Sequence, residues 1–146
     1  MSQATQVARP TLEVARAWFD ALLAGDVETA GSLLAEDVRF INHTRVPGFN
    51  TDMKWIGTHH GRKAALESFG VFVSICEVQQ EELVKLIVDD DEAIGIIHEV
   101  SEVRDTGVTF ETEFIQRLTV HNGQIVQWRS YSDSAAIVRA LRGGQP

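Results

Sequence analysis

Apolar residues recur every three or four positions in residues 12–22, 27–34 and 61–75, and again in a short run at 135–141. Such spacing places the apolar side chains on one face of an α-helix. Thr11 is a suitable N-cap for the first helix, and Gly25 predicts its end, because glycine readily takes the left-handed conformation found after helices. Asp26 is a suitable N-cap for the second helix. The pattern therefore predicts four helices, three of which precede residue 76.

Five other segments favour β-strands by their alternation and their β-branched residues, at 38–42, 82–88, 93–103, 109–120 and 124–132. Short polar turns separate the last four, which indicates an antiparallel meander. Residues 43–60 show neither period and are expected to form a long loop, of the kind that is often functional. This order of elements is typical of an α+β fold rather than of alternating βαβ units. The predicted sheet would curl around the helices, with a cavity against its concave side.

The Asn122-Gly123 dipeptide lies between two of these strands and predicts a two-residue hairpin turn, since both central residues of a type I′ turn need φ > 0. With that turn His121 pairs with Gln124, and directly paired residues point to the same side of the sheet. One side then carries three pairs: Thr112 with Asp133, Phe114 with Tyr131, and Gln116 with Arg129. The other side carries Ile115, Arg117, Trp128 and Ser130, with Arg117 placed for a cation–π contact with Trp128.

The next turn decides whether a second carboxylate joins Asp133 on that side. A two-residue turn at Asp105-Thr106 or Thr106-Gly107 directs Glu99 there, whereas a three-residue loop directs His98 there instead. Two carboxyl groups in an apolar cavity can divide the work of acid and base, because burial keeps one of them protonated. The alternatives are that Glu99 is a solvated or salt-bridged strand residue and that Asp133 is the N-cap of the last helix.

Length and composition restrict the class of protein. The chain of 146 residues, with 44% hydrophobic and 23% charged residues, suits one domain at residues 11–142, between a flexible segment 1–10 and a tail 143–146. A net charge of −8 without a basic patch argues against nucleic-acid binding. The single cysteine, the lack of a signal-peptide pattern and the lack of a membrane-length apolar run predict a cytoplasmic protein with no membrane partner. His59 and His60 have no third ligand at a suitable spacing, so no metal is predicted, and no motif calls for a cofactor.

Three stretches together resemble the nuclear transport factor 2-like superfamily, which includes ketosteroid isomerase, limonene-epoxide hydrolase and the SnoaL-like polyketide cyclases. They are VARAWFDALLAGDVETAGSLLAEDVRF at 14–40, WIGTHHGRKAALESF at 55–69 and GQIVQWRSYSD at 123–133. The resemblance covers residues from about 11 to 140 and implies a cone-shaped fold, with a curved antiparallel or mixed sheet wrapped around the N-terminal helices. It also implies a ligand site inside the cone and, as in many relatives, a homodimer formed through the outer face near Ile115.

The resemblance assigns roles to two residues. Asp133 matches the aspartate near the end of the last strand that SnoaL-like cyclases and epoxide hydrolases use as a base. Asn42 matches the asparagine of the Tyr-x-Asn pair with which epoxide hydrolases hold water, and Phe40 stands where their tyrosine is. Their Arg-x-Asp motif has no counterpart in the strand that contains His98 and Glu99.

The resulting hypothesis is a cofactor-independent SnoaL-like cyclase, isomerase or hydrolase that acts on a small hydrophobic molecule. Asp133 would be the base and Glu99 or His43 its partner, while Asn42 and Tyr131 would orient substrate or water. The other predicted substrate-binding residues are Phe40, Trp18, Trp55 and Phe114, with Trp55 either a lid over the cavity or a core residue. The alternative is a non-catalytic ligand-binding or dimerisation module. An open cavity with Asp133 on its wall would favour the enzyme, and a cavity packed solid by Trp18, Trp55 and Phe114 would favour the module.

Overall fold

A computed structural model describes residues 9–144, within which the chain forms four helices and six strands. In order they are α1 (Thr11–Ala24), α2 (Val27–Ser32), β1 (Leu34–Asn42), β2 (Gly57–His60), α3 (Arg62–Ile75), β3 (Cys76–Asp89), β4 (Glu92–Val103), β5 (Thr109–His121), β6 (Gln124–Tyr131) and α4 (Ser134–Leu141). Most of the predicted flexible segment 1–10 and half of the predicted tail 143–146 lie outside the described residues. None of the helices in residues 9–144 has the length and apolar composition needed to cross a bilayer.

The six strands form one curved, open sheet in the order β2-β1-β6-β5-β4-β3. Strands β3 to β6 are the predicted antiparallel meander, and β1 joins it parallel to β6. The short strand β2 pairs antiparallel with β1 and lies within the segment that was predicted as a loop. Three helices precede the meander and one follows it, so helices and strands are segregated along the chain and the predicted α+β fold is confirmed.

The helix ends follow the local sequence with one exception. Gly25 has φ 71° and ends α1, as predicted, and its amide donates to the carbonyls of Ala21 and Leu22. The Asp26 carboxylate accepts a hydrogen bond from the backbone amide of Thr29 and caps α2. The prediction that Thr11 caps α1 is wrong, because Pro10 occupies the cap position and Thr11 is already helical. Proline before a helix has the fixed φ that suits this entry.

Two hydrophobic clusters hold the helices on the concave side of the sheet. In the larger cluster α1 and α2 pack onto the middle of the sheet, where the fully buried Phe19 lies against Gly95. The smaller cluster joins α4 to the far ends of β4 and β5 and includes Met53, Trp55 and Ile56 from the long loop. The space between the two clusters is the cavity described below.

A β-bulge changes the predicted register between β5 and β6. The Asn122-Gly123 turn is present and His121 pairs with Gln124, but Val126 is an extra residue on β6. One extra residue reverses the side to which every later side chain points. Gln116 therefore pairs with Ser130 rather than with Arg129, and Tyr131 pairs with Ile115 rather than with Phe114. The strand β6 ends at Tyr131, so the predicted pair of Thr112 with Asp133 does not form.

This shift reverses the predicted side of four residues on β6, namely Trp128, Arg129, Ser130 and Tyr131. Trp128 and Ser130 face the concave side, and Tyr131 lies on the outer side, opposite Ile115. Arg117 pairs with Arg129 in the register and forms an ion pair with Glu92 instead of a cation–π contact with Trp128. The cation–π contact that forms places Arg129 over Tyr131, with 5.2 Å between the guanidinium carbon and the ring centroid.

The register between β4 and β5 brings Glu99 opposite Thr112, as one of the two predicted turns requires. The loop itself contains four residues, from Arg104 to Gly107, and is closed by a hydrogen bond from the amide of Val103 to the carbonyl of Val108. Glu99 accordingly points to the concave side, and His98 points to the outer side, where its imidazole contacts the carboxylate of Glu111 at 2.6 Å.

Candidate functional site

A cavity of about 80 Å³ lies between the concave side of the sheet and the helices. The sheet supplies its floor from β1, β6, β5, β4 and β3, α3 supplies most of the opposite wall, and α1, α4 and the loop after β1 close the remainder. Several of its lining residues, among them Asn42, His43 and Phe69, are only half-buried, so the cavity communicates with solvent. The space is therefore not packed solid.

Aromatic side chains make up much of the wall. They are Phe40, Trp55, Phe69, Phe72, Phe110, Phe114 and Trp128. Phe40 and Trp128, which are paired on neighbouring strands, stack with 3.7 Å between ring centroids and 13° between planes. Trp55 meets Phe72 edge to face at 5.0 Å. The alternation that buries these rings on one side of each strand also gathers them at the cavity.

Two of the predicted substrate-binding residues, Trp55 and Trp18, differ in their position relative to the cavity. Trp55 is 4% exposed and forms part of the cavity wall within the smaller core cluster, so it is core and wall together. Trp18 is buried behind the wall, edge to face with Trp128, and does not line the cavity. Its indole nitrogen instead donates a hydrogen bond of 2.8 Å to Oε1 of Gln116, which does line the cavity.

A pair of glutamates is the strongest electrostatic feature of the cavity. Glu99 on β4 and Glu81 on β3 are directly opposite each other in the register, and both line the cavity. Glu99 is 5% exposed, and its Oε2 accepts a short hydrogen bond from the hydroxyl of Ser101. The buried side-chain polar atom that has no hydrogen-bond partner within residues 9–144 is Nε1 of Trp128, which also lines the cavity.

Burial is the main cause of the altered acidity of this pair. It raises the pKa of the Glu99 carboxyl, and the Ser101 hydroxyl opposes that change only in part. Burial, with the nearby Glu99 charge as a second cause, raises the pKa of Glu81 from 4.5 to about 7. Two like charges that close together disfavour simultaneous ionisation. Near neutral pH the pair therefore retains a proton that it can donate.

Polar side chains from three adjacent strands form a row at the end of the cavity away from the glutamates. Asn42 on β1 pairs with Ser130 on β6, and Ser130 pairs with Gln116 on β5. Thr112, which is level with the glutamates, lies four residues from Gln116, or about 13 Å along the strand at roughly 3.3 Å per residue. Phe114 stands between the two polar groups. The cavity thus has an acidic end and an amide-and-hydroxyl end, separated by aromatic surface.

His43 adds a basic group to the wall. Its backbone is left-handed, with φ 58°, and its Nε2 lies 2.8 Å from Oγ of Ser132. Burial lowers the pKa of His43, so the imidazole is neutral at pH 7. A neutral imidazole that contacts a hydroxyl can accept a proton from it, from water or from a ligand.

Asp133 and Tyr131, two residues central to the sequence-based hypothesis, are not in the cavity wall. Asp133 occupies the N-cap position of α4, where its side chain is exposed and makes no capping hydrogen bond. Tyr131 is 41% exposed on the outer side of the sheet. The cavity instead brings together six residues of the predicted set, namely Phe40, Asn42, His43, Trp55, Glu99 and Phe114.

Glu81, Gln116 and Ser132 line the cavity but were not predicted site residues. Glu81 could not be placed in the cavity from the sequence, because a bulge at Val84 on β3 lies between it and the turn that sets the register. Without this bulge, counting from the turn would place Glu82 opposite Glu99. Gln116 was predicted on the correct side of β5 and could have been identified from that. Ser132 could not, since the bulge at Val126 reverses its side.

A model of the SnoaL-like domain matches residues 15–128. The chain belongs to the SnoaL-like domain family. The matched SnoaL-like region includes Asn42, His43, Glu81 and Glu99 and stops before the last polar residues of the cavity. No curated protein matches the chain in sequence.

Solved structures share this SnoaL-like architecture at low sequence identity. An NTF2-like protein from Burkholderia thailandensis has a TM-score of 0.79 at 18% identity, over 94% of this chain and 99% of that one. A candidate SnoaL-like polyketide cyclase from Mesorhizobium loti has a TM-score of 0.69 at 21% identity, over 82% and 97% of the two chains. A Catenulispora acidiphila protein with a ketosteroid isomerase-like fold, in complex with trimethylamine, has a TM-score of 0.72 at 17% identity, over 93% and 95%. These likenesses concern the fold.

Within residues 9–144 no three His, Cys, Asp or Glu side chains come together as a metal site. The titratable groups that line the cavity are His43, Glu81 and Glu99. The chemistry that these residues can perform by themselves is proton transfer.

Proposed function

We propose that this SnoaL-like protein is a cofactor-independent enzyme that transfers protons to and from a small, largely apolar substrate held in the cavity. The observation that carries the proposal is the facing pair of Glu81 and Glu99 beside aromatic rings, in which Glu99 is buried, Glu81 is half-buried, and a proton is held near neutral pH. Perturbed carboxyl groups in a cleft are characteristic of acid–base sites.

The two ends of the cavity would divide the reaction. The glutamate pair donates a proton to the substrate, or removes one from carbon next to a carbonyl group, and changes between its singly and doubly ionised forms as it does so. His43, neutral and in contact with the Ser132 hydroxyl, is the complementary base for a substrate hydroxyl or for water. Asn42 and Gln116 hold polar groups of the substrate by hydrogen bonds, and the Trp18 indole fixes the orientation of the Gln116 amide.

Proton transfer of this kind is common to cyclisation, isomerisation and hydrolysis, so a test should measure the proton and not the product. Wild-type protein in D₂O would be incubated with a panel of small ketones, and hydrogen–deuterium exchange next to the carbonyl followed by NMR. A second panel of small epoxides would be assayed for ring opening. We expect exchange or opening above the buffer rate for at least one compound, with the rate reduced at least tenfold by Glu99→Gln or Glu81→Gln.

Glu82→Gln is the matched control, because Glu82 is the neighbouring residue on β3 and is exposed and paired with His98 on the outer side. It removes the same charge without touching the cavity. Full activity in both Glu81→Gln and Glu99→Gln would refute the acid–base role of the pair.

A non-catalytic ligand-binding module is the second candidate. It is favoured by the exposed position of Asp133, since the resemblance to SnoaL-like cyclases and epoxide hydrolases assigned the base to that residue. The two candidates differ in one measurable respect. A binding module would retain a ligand of the cavity without any exchange or turnover that depends on Glu81 or Glu99.

We also propose that the protein forms a homodimer through the outer side of the sheet. Ile94, Ile96 and Val100 lie on the outer side of β4, where His98 separates the last two, and Ile115 on β5 is paired with Ile96. An antiparallel sheet that faces water usually carries polar residues there. Analytical ultracentrifugation should show a dimer that Ile115→Lys dissociates and Val71→Lys does not, Val71 on α3 being equally exposed at 37%. A monomeric wild type would refute the proposal.

A further inference from the structure

We propose that the ligand of the cavity is a small organic cation, an amine or a quaternary ammonium compound whose positive group lies between the glutamate pair and the aromatic wall. The inference rests on the proposed function in one respect, namely that the same cavity takes the substrate. It goes further by naming the charge of that substrate.

The composition of the wall is the first observation. Seven of the ten Phe and Trp residues of the chain line this one cavity, and neither Lys nor Arg is among the lining residues. Aromatic faces attract ammonium groups within about 6 Å of the ring centroid, and the attraction reaches about 2 kcal/mol when the site is desolvated. An apolar, uncharged ligand would use the same rings, so this observation alone does not determine the charge.

The position and bonding of the two glutamates favour a positive charge. The Glu99 side chain is almost fully buried, and the hydrogen bond from the Ser101 hydroxyl to Oε2 is the one hydrogen bond that its carboxyl group accepts within residues 9–144. Glu81, directly opposite, adds a second carboxyl group. Buried carboxylates are normally paired with a cation or fully hydrogen-bonded, because an unpaired charge is costly in a low dielectric. A positively charged ligand supplies the partner that the protein does not.

The other groups around the pair do not compete for that role. His43 is kept neutral near pH 7 by burial, and the part of α3 that lines the cavity consists of Ser68, Phe69 and Phe72. The Cys76 thiol interacts electrostatically with Glu99, but burial raises its pKa to about 11, so it stays uncharged. Arg104 acts on that thiol and is exposed outside the cavity. The field inside the cavity is therefore set by the two glutamates and favours cations over anions.

Choline and 3,3-dimethylbutan-1-ol provide a direct test, since they have nearly the same shape and differ in a charged nitrogen against a neutral carbon. Isothermal titration calorimetry with the full-length protein at pH 8.5 should give at least tenfold tighter binding of choline. The preference should shrink towards parity at pH 5.5, where Glu81 takes up a proton and choline keeps its charge. At pH 7, titrations in two buffers of different ionisation enthalpy should show release of a proton from the protein as choline binds.

Two variants test whether Glu81 causes the pH dependence of choline binding. Glu81→Gln should abolish most of the pH dependence, and Glu82→Gln should leave it unchanged. Should Glu81→Gln not fold, the wild-type pH dependence and a choline-induced shift of the Glu81 carboxyl resonance in ¹³C NMR serve the same purpose. Equal or tighter binding of the neutral alcohol, or binding of neither compound, overturns the inference. If only the alcohol binds, the cation inference fails and the acid–base proposal still stands. If choline is preferred but neither proton exchange in the ketone panel nor ring opening in the epoxide panel is seen, the cation inference is supported and the acid–base proposal is contradicted.

Discussion

Glu81→Gln should stabilise the protein above neutral pH, although it removes a residue from the proposed active site. In the folded chain the pKa of Glu81 is raised from 4.5 to about 7, mainly by burial. Below pH 4.5 the carboxyl is protonated in both the folded and the unfolded chain. Between pH 4.5 and 7 the unfolded chain loses the proton and the folded chain keeps it, so the free energy of unfolding falls as pH rises. Above pH 7 the folded protein carries the full cost of the buried charge.

The expected size of the effect follows from the same values. A tenfold change in proton affinity is worth about 1.4 kcal/mol, so the raised pKa corresponds to about 3 kcal/mol at most. Because Glu81 is only half-buried, water screens part of this cost, and about 1–3 kcal/mol is the expected gain. Glutamine has the shape of the protonated acid and never ionises. For a chain of this size the gain corresponds to a rise in Tm of roughly 3–10 °C.

Thermal unfolding followed by circular dichroism between pH 4.5 and 8.5 measures the difference. The two proteins should have similar Tm values at pH 4.5. The difference in Tm should grow from there to pH 7 and remain constant above pH 7. Glu82→Gln should follow the wild type throughout, since Glu82 is exposed on the outer side of β3. A difference between Glu81→Gln and wild type that is the same at pH 5 and at pH 8.5 would show that the carboxyl is not buried as described, and the acid–base proposal would lose its main support.

Three further substitutions test other parts of the structure. Gly95→Ala should lower the free energy of unfolding by about 1–3 kcal/mol, measured by urea denaturation, because the new Cβ would meet the fully buried Phe19 ring at 2.2 Å. Gly123→Ala should cost about 1 kcal/mol in the same assay, because Gly123 has φ 77° in the hairpin turn. Asp133→Asn should leave choline binding and proton exchange unchanged, since Asp133 is exposed outside the cavity. Loss of proton exchange would restore Asp133 as the base.

Features set by local sequence were predictable. The turn at Asn122-Gly123 was identified from its residue types, and both residues adopt the positive φ values, 54° and 77°, that the turn requires. Gly25 ended α1 for the same reason. The position of Glu99 on the concave side was left open, because it depended on the length of the loop after β4, and that loop has four residues rather than the two or three considered. Where a single local rule determines the outcome, the sequence is sufficient.

Bulges account for what was missed. The extra residues Val84 on β3 and Val126 on β6 carry no distinctive side chain, and each reverses the inward and outward sides of everything beyond it. The first turns Glu81 inward, and the second turns Tyr131 outward. Curvature of the whole sheet favours a bulge at such places, and curvature is a tertiary property. The identity of the second carboxyl group in the cavity was therefore beyond any argument from turns and alternation.

The correction strengthens the case for a function rather than weakening it. Each residue of the predicted pair had a purely structural alternative, Asp133 as a helix cap and Glu99 as a solvated strand residue. The observed pair is a different case, because Glu81 and Glu99 face each other in the wall of an aromatic cavity and burial raises the pKa of both carboxyl groups. Each is therefore expected to oppose folding when it is ionised. Replacement of either by glutamine or leucine would relieve that cost by a single substitution. Residues that oppose stability in this way are expected at sites where a charge acts on a ligand, and the cavity is where this chain has placed them.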